Sequence, residues 1–316
     1  MFLWAAVTAI LLTGCHGVSD GKLSDARVIP PSPQQEVVQF PSPRIPDFII
    51  GADERMNYML EHYWEAYDFC DTTDHNRTVG EQGFANFLNL LQYADSAVAA
   101  RSVMRYLEKG FALRPLRPLY GALIRHYLDN PDSPLRNDVL YAHFLCQQIP
   151  FYEEDEMAER ERCTFLLRMV SRNQPGRVAV DFCFVDRKGH RQNLHSLDSP
   201  LTLLVFSDPD CETCQKEMPR LISDPLLQRP GLSVVVVYPD ADTDRWKSFD
   251  SRMPANWIDA CSPGGEVMRR ALYYLPAMPS LYLLDARKRV VLKDAPYEQV
   301  RKYIADTLKQ HPLAGQ

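Results

Sequence analysis

The stretch Leu201–Arg220 constrains the fold more than any other part of the chain. It opens with the mainly apolar run Leu201–Phe206, which is typical of a strand buried on both faces of a sheet. Ser207–Asp210 breaks that run. The four residues Cys211 to Cys214 follow, at the expected start of a helix. A buried strand that leads into a helix predicts alternating β and α elements around a central sheet.

The spacing of Cys211 and Cys214 indicates reversible dithiol chemistry. Two cysteines three residues apart at a helix amino terminus face the same side of its first turn. Free backbone N–H groups and the helix dipole stabilise a thiolate there. Two other interpretations stay open. One is half of a zinc site, for which the chain offers no second Cys-x-x-Cys or His-x-x-x-His motif. The other is an inert disulfide of an exported protein.

Length and composition predict two domains and argue against nucleic acid as a partner. The chain has 316 residues, 46% of them hydrophobic, which is enough for two cores. Its net charge of −6 is dispersed, and no basic run or zinc finger is present. Most of the other cysteines are scattered and are expected to be small buried hydrophobic residues.

The amino terminus predicts export and a lipid anchor. Residues 1–14 form an apolar segment that is too short to span a bilayer and is typical of a signal-peptide core, although no Lys or Arg precedes it. Leu12 to Cys15 resembles the lipobox of bacterial lipoproteins, which implies that residues 1–15 are the signal peptide and the lipidated Cys15. Residues 16–49 are rich in proline and predict an extended tether.

Residues 50–173 predict an all-α domain. Helices are expected over residues 53–69, 80–93, 96–109, 116–129, 135–148 and 154–172. The acidic run Glu153–Glu156 precedes the last helix, where acids complement the helix dipole, so we interpret it as a cap and not as a metal cluster. We find no catalytic constellation in this domain.

Residues 174–316 predict an α/β domain with a central mixed sheet flanked by helices. Strands are expected over residues 178–185, 191–194, 201–206, 232–238, 280–284 and 289–292. Helices are expected to follow the cysteine pair and to cover residues 242–249, 264–273 and 297–308.

These features resemble the thioredoxin fold, in particular the membrane-tethered, TlpA-like thiol–disulfide oxidoreductases. Cys211–Pro219 resembles the signature Cys-x-x-Cys-x-x-Glu-x-Pro, and Val178–Phe182 resembles the first strand of the family. Ala277–Asp285 resembles the loop with a cis proline and the strand after it. The order of lipobox, helical domain and thioredoxin-like domain is similar to that of Bacteroidota lipoproteins whose helical domain has no assigned function.

The resemblance implies a catalytic role for four residues. Cys211 would be the nucleophile, Cys214 the resolving thiol and Glu217 the proton carrier, and Pro279 would shape the substrate groove. No metal or organic cofactor is implied. The expected partners are a disulfide-bearing protein, an upstream thiol electron donor and, through the anchor, a membrane. The expected location is the bacterial cell envelope facing the periplasm, with the outer membrane favoured over the inner.

The sequence departs from the family at three positions. Asp210 replaces the aromatic residue that commonly precedes the first cysteine, and Thr213 replaces the usual proline. Val205 stands where thioredoxin itself has a buried acid. These departures affect the expected redox potential and partner more than the fold.

The charges near the first cysteine favour a reductant. Asp208, Asp210 and Glu212 all lie within three residues of Cys211, and Lys216 is the nearby base. Like charge disfavours a thiolate, and a dithiol whose thiolate is not stabilised is reducing.

Two alternatives belong to other functional classes. The chain could be a lipid-anchored adaptor that uses the fold as a platform, or a peroxidase that uses one cysteine. The intact cysteine pair favours the oxidoreductase over the adaptor. The residues before Cys211 are Asp208-Pro209-Asp210, without the Thr or Ser that a peroxidase would ordinarily have there.

We predict that the mature protein begins at Cys15 and partitions with membranes. The Cys15→Ala variant should be released or mislocalised, because the lipid is the expected anchor. Fractionation with amino-terminal mass spectrometry checks this. A wild-type protein that is wholly soluble with an unmodified amino terminus would contradict it.

Overall fold

The computed structural model describes residues 39–249 and 252–310. The predicted signal peptide, the lipidated Cys15 and residues 16–38 of the predicted tether lie outside these residues. The helical domain precedes the sheet in the chain. Its helices are α1 (Ala52–His62), α2 (Asp74–Leu91), α3 (Ser96–Gly110), α4 (Arg117–Leu128), α5 (Asp138–Gln148) and α6 (Met157–Val170).

The first helix is shorter than predicted. It ends at His62 and not at Phe69. Tyr63 and Trp64, which follow the end of the helix, are also buried. The regular spacing of apolar residues therefore extends past the helix. The rings of Tyr63 and Trp64 lie 4.9 and 5.2 Å from the ring of Phe40. The prediction was wrong here because the aromatic residues after His62 have the spacing that is typical of a helix, yet they are buried without forming one.

An aromatic core holds the helical domain together. Trp64 packs against Phe87 and Tyr106, with ring centroids 5.3 and 5.0 Å apart. Phe40, within the predicted tether, is also buried in this core. The last part of the tether therefore packs against the domain, and the domain boundaries themselves stay predictions. Glu153 and Glu156 form a capping box before α6, as expected for a cap region.

The second half of the chain forms a seven-stranded mixed sheet in the order β2-β1-β5-β4-β3-β6-β7. Its strands are β1 (Cys183–Asp186), β2 (Arg191–Asn193), β3 (Leu201–Phe206), β4 (Leu232–Tyr238), β5 (Ile258–Cys261), β6 (Ser280–Asp285) and β7 (Val290–Leu292). Its helices are α7 (Glu212–Ser223), α8 (Thr243–Ser248), α9 (Glu266–Arg269) and α10 (Tyr297–Gln310). Strands β3, β4 and β5 are parallel neighbours, and β6 pairs antiparallel with β3.

Three elements differ from the prediction. The strand expected over residues 178–185 is regular only as β1, and Val178 forms one isolated bridge to Arg289. Strand β5 was missed because it is only four residues long and contains an acid. The helix expected over residues 264–273 contracts to α9, since Gly264 and Gly265 have positive φ before it and Ala271 has φ 48° after it.

Alternate residues of β3 supply two separate cores. Leu204 and Phe206 point into one face of the sheet, and Leu203 and Val205 point into the other. Helices α7 and α10 cover the second face. Because both faces are covered, β3 is buried at every position, as its apolar run predicts.

The helical domain is joined to the sheet by buried polar contacts. The side chain of Asn173 donates to the carbonyl of Leu272 at 2.9 Å and accepts from the amide of Val180 at 2.8 Å. The ammonium of Lys293 lies 2.7 Å from Asp138. Within the described residues, none of the helices is both long enough and apolar enough to cross a membrane.

We predict that Phe206→Ala destabilises the protein by about 3–5 kcal/mol, the usual cost of truncating a buried phenylalanine. Phe206 is fully buried, and its ring lies 4.8 Å from that of Tyr273. Urea denaturation measures the change in the free energy of unfolding. Phe48→Ala is the matched control, because Phe48 is 82% exposed and its loss should cost no more than about 0.5 kcal/mol. Equal costs would contradict the assignment of the core.

Candidate active site

The register of the sheet brings the cysteine pair beside the proline loop. Phe206, the last residue of β3, pairs with Ser280, the first residue of β6. The chain after Phe206 and the chain before Ser280 therefore leave the sheet at the same edge. The first contains Cys211, and the second contains the Met278–Pro279 peptide, which is cis as expected.

A tight turn sets the position of the first cysteine. The Asp208 carboxylate accepts from the Asp210 amide at 2.9 Å, and the Asp208 carbonyl accepts from the Cys211 amide at 3.1 Å. This turn ends the extended chain and places Cys211 at the N-cap of α7. Asp is suited to such turns because its side chain can bond its own backbone two residues on.

The sulfur of Cys211 lies between the helix and the proline loop. It accepts a hydrogen bond from the Cys214 amide at 3.2 Å. It also lies 3.3 Å from the carbonyl oxygen of Met278, to which the thiol donates. Cys211 is half-buried, so this thiol stays within reach of a second molecule. An amide at a helix amino terminus stabilises the thiolate form of a thiol that it contacts.

Cys214 is placed very differently. It is 1% exposed, and both cysteines are free thiols. Burial raises the pKa of Cys214 to about 12, although hydrogen bonds from the Asp208 backbone and the Ser207 side chain act in the opposite sense. Beside Cys214 lies a mainly apolar cavity of about 270 Å³, whose walls include Met218 and Trp246. The pair therefore combines one reachable thiol with one buried thiol.

Glu217 lies one turn after Cys214, and the structure gives it an ion pair. Its carboxylate accepts from Arg220 at 2.8 Å, and Arg220 also contacts Glu298 of α10 at 2.7 Å. The cavity beside Cys214 is lined by Asp208 and Asp259, and Glu217 is not among its walls. Proton transfer by Glu217 stays a prediction.

Two of the three acids near Cys211 are paired. Asp210 contacts Arg245 of α8, and Glu212 contacts Lys216 at 2.6 Å. Lys216 is not the only base near Cys211, as the sequence suggested, because Arg245 reaches the neighbouring Asp210. Two of the three negative charges on which the prediction of a reductant relied are therefore neutralised by a partner.

Sequence reasoning missed Arg245 and Ser207. A signal for Arg245 was available, because α8 follows β4, and the carboxyl ends of the parallel strands β3 and β4 meet at the same edge. Ser207 carried no pattern of its own. Its role depends on the fold of the turn that brings its side chain to Cys214.

In the part of the chain that the structure describes, no group of three or more His, Cys, Asp or Glu side chains could hold a metal ion. The zinc interpretation of the cysteine pair thus lacks further ligands among those residues.

Comparison with known proteins assigns a fold class to this arrangement. Residues 22–173 match the family described as "Domain of unknown function (DUF5106)". A thioredoxin-like protein from Bacteroides caccae is 25% identical, with a TM-score of 0.76, over 85% of this chain and 99% of that chain. No curated protein matches the sequence.

Two further solved structures each match part of the chain. A conserved protein of unknown function from Bacteroides fragilis is 35% identical over 42% of this chain and 98% of that chain, with a TM-score of 0.37. The thioredoxin domain of a thiol-disulfide oxidoreductase from Bacteroides vulgatus is 19% identical over 42% of this chain and 97% of that chain, with a TM-score of 0.38.

The chain has a thioredoxin-like fold, and the helical region before it matches a family of unassigned function. The resemblance to the thioredoxin fold that the sequence indicated is confirmed, as is the mixed sheet preceded by helices. This fold supports a thiol-based redox function in general.

We predict that alkylation of Cys214 in a Cys211→Ser variant rises about tenfold per pH unit from pH 7 to 10 without levelling off. Burial is the main cause of the raised pKa of Cys214 and persists in this variant, although the Cys211 thiol that also raises that pKa is removed. Because burial disfavours the charged thiolate, the Cys214 thiol stays mainly protonated over this range. Mass spectrometry of the iodoacetamide-treated peptide measures the rate.

The control is the same variant unfolded in guanidinium, where a thiol titrates near an unperturbed pKa of about 8.5. Its rate should level off by about pH 10. A plateau below pH 9 in the folded protein would refute the placement of Cys214.

Proposed function

We propose that this protein is a membrane-tethered thiol–disulfide oxidoreductase that reduces disulfides of exported proteins. The observation that carries the proposal is the asymmetry of the dithiol. Cys211 is half-buried at a helix amino terminus beside the cis-Pro279 loop, and Cys214 is buried behind it.

The reaction has two steps. In the first, the Cys211 thiolate attacks one sulfur of the partner disulfide. The partner's S–S bond breaks, a mixed disulfide forms, and the leaving partner thiolate takes a proton. In the second, Cys214 loses its proton and attacks the Cys211 sulfur, which releases the second partner thiol. The partner gains two electrons and two protons, and the Cys211–Cys214 pair becomes a disulfide.

The high pKa of Cys214 fits a resolving thiol. A thiol that ionises near pH 12 does not compete as the first nucleophile at neutral pH. It reacts once the mixed disulfide places a sulfur next to it and a base takes its proton. Asp208 lines the cavity beside Cys214, Glu217 follows Cys214 by three residues, and Glu217 is our candidate for that base.

The reducing direction is supported by what surrounds the thiols. A dithiol oxidises its partners strongly when its reduced form is stabilised. Here Arg245 and Lys216 are each paired with an acid. Because each cation already has an acidic partner, neither is free to stabilise a thiolate on Cys211. Burial also destabilises a thiolate on Cys214. The dithiol thus favours giving up its electrons.

The proposal includes the cell envelope as the site of action. It rests on the likeness of Leu12 to Cys15 to a lipobox and on the proline-rich residues that follow. The partners are a disulfide-bearing exported protein and an upstream thiol donor that restores the dithiol. The lipid anchor would hold the protein on a membrane, facing the periplasm, with the outer membrane favoured.

We predict that the protein accelerates reduction of insulin by dithiothreitol and that Cys211→Ser/Cys214→Ser reduces the rate to that of dithiothreitol alone. The single variant Cys214→Ser should accumulate stable mixed disulfides, because resolution is lost, whereas Cys211→Ser should form few. Turbidity and non-reducing electrophoresis measure the two effects.

The control is Cys70→Ser/Cys146→Ser, which removes two exposed thiols outside the site. It should behave as the wild type. A wild type without insulin reductase activity would instead favour the adaptor, which uses the fold without its thiols. Equal trapping by the two single variants would contradict the assignment of the nucleophile.

A further inference from the structure

A groove begins next to the reactive thiol and is walled on one side by the helical domain. It is a cavity of about 540 Å³, within the usual range for ligand sites. On the side of the dithiol it is lined by Ala277 and Pro279, which flank the Met278 carbonyl that Cys211 contacts. On the opposite side it is lined by Pro134 and Val139, which belong to the helical domain.

We propose that residues 131–139 of the helical domain form one wall of the groove that holds a protein substrate beside its reacting cysteine. The inference rests on the proposed function and gives the helical domain a part in it. The occupant is an extended, uncharged segment of the disulfide-bearing partner.

The position of the groove relative to Cys211 favours that occupant. A partner joined to Cys211 through a mixed disulfide has its neighbouring residues at Ala277–Pro279, where the groove starts. Ala277 is exposed, and among the described residues no group accepts a hydrogen bond from the amides of Ala277 and Met278. An extended chain can pair with such free amides in the manner of an added strand.

The charges that line the groove favour an uncharged segment. The groove is lined by two cations and two acids that neutralise one another. Arg136 lies 2.5 Å from Asp294, and Lys293 lies 2.7 Å from Asp138. All four side chains are at most 17% exposed. Buried ions that are already paired offer no net charge to a partner, and they would leave a charged segment desolvated without compensation.

A chain of contacts holds this wall in place relative to the dithiol. Ser280 follows Pro279 and is fully buried, and its hydroxyl donates to Asp294 at 2.5 Å. The same Asp294 contacts Arg136 of the helical domain. The wall is therefore connected through two side chains to the residue next to the cis proline, so its distance from the reactive thiol is fixed.

The test compares two disulfides that release the same chromophore. One is a peptide of about ten uncharged residues, about 33 Å when extended, with its cysteine activated by 2-thiopyridine. The other is 2,2′-dithiodipyridine, which has no residues to place in the groove. Single-turnover rates are measured in a Cys70→Ser/Cys146→Ser background, so that these two exposed thiols do not react.

Val139→Trp fills the groove at a side chain that is 54% exposed. We expect it to lower the ratio of the peptide rate to the dithiodipyridine rate about thirtyfold, as loss of one interface hot spot would. Met157→Trp is the matched control, because Met157 is in the helical domain, is 58% exposed and does not line the groove. It should leave the ratio unchanged.

The outcomes separate this inference from the function on which it rests. If the wild type reacts with neither disulfide faster than Cys211→Ser does, the proposed function fails. If the wild type reacts with both and Val139→Trp leaves the ratio unchanged, the function stands and the helical wall is refuted. An equal loss in the Met157→Trp variant would also overturn the inference.

Discussion

The pairing of β3 with β6 is the constraint on which the candidate site depends. The two strands are antiparallel, and their register aligns Phe206 with Ser280. The segments that leave the sheet beyond these two residues therefore meet at one edge. A shift of one residue would turn each side chain of β6 to the other face of the sheet and would move Pro279 relative to Cys211. The observed pairing runs without interruption over six residues, from Leu201 with Asp285 to Phe206 with Ser280.

The sequence predicted the elements with strong local signals and missed those that depend on distant contacts. The run Leu201–Phe206 and the spacing of Cys211 and Cys214 indicated the central strand and the start of α7, since both signals lie within a few adjacent residues. Strand β5 has no such signal, because four residues show no reliable periodicity. The pairing of Arg245 with Asp210 was missed for another reason. It joins residues 35 positions apart in sequence, and only the fold brings them together.

The two thiols show how burial divides one chemical group into two roles. Cys211 and Cys214 are the same residue on the same turn of helix, yet one contacts the surface loop at Met278 and the other contacts the core. Burial raises the pKa of Cys214, because the charged thiolate is disfavoured away from water. The order of attack in the proposed reaction then follows from the positions of the two thiols.

The hydrogen bonds of Asn173 limit which second domains could be joined to this helical domain. Its side chain, buried at the end of the helical domain, donates to Leu272 and accepts from Val180, so it occupies hydrogen-bonding groups on two separate segments of the second domain. Removing the helical domain would leave those groups without partners and would expose Lys293 without Asp138. The two domains therefore cannot be exchanged independently of each other. A thioredoxin-like domain taken from another protein would have to carry a matching acceptor, a matching donor and a matching lysine before it could replace this one.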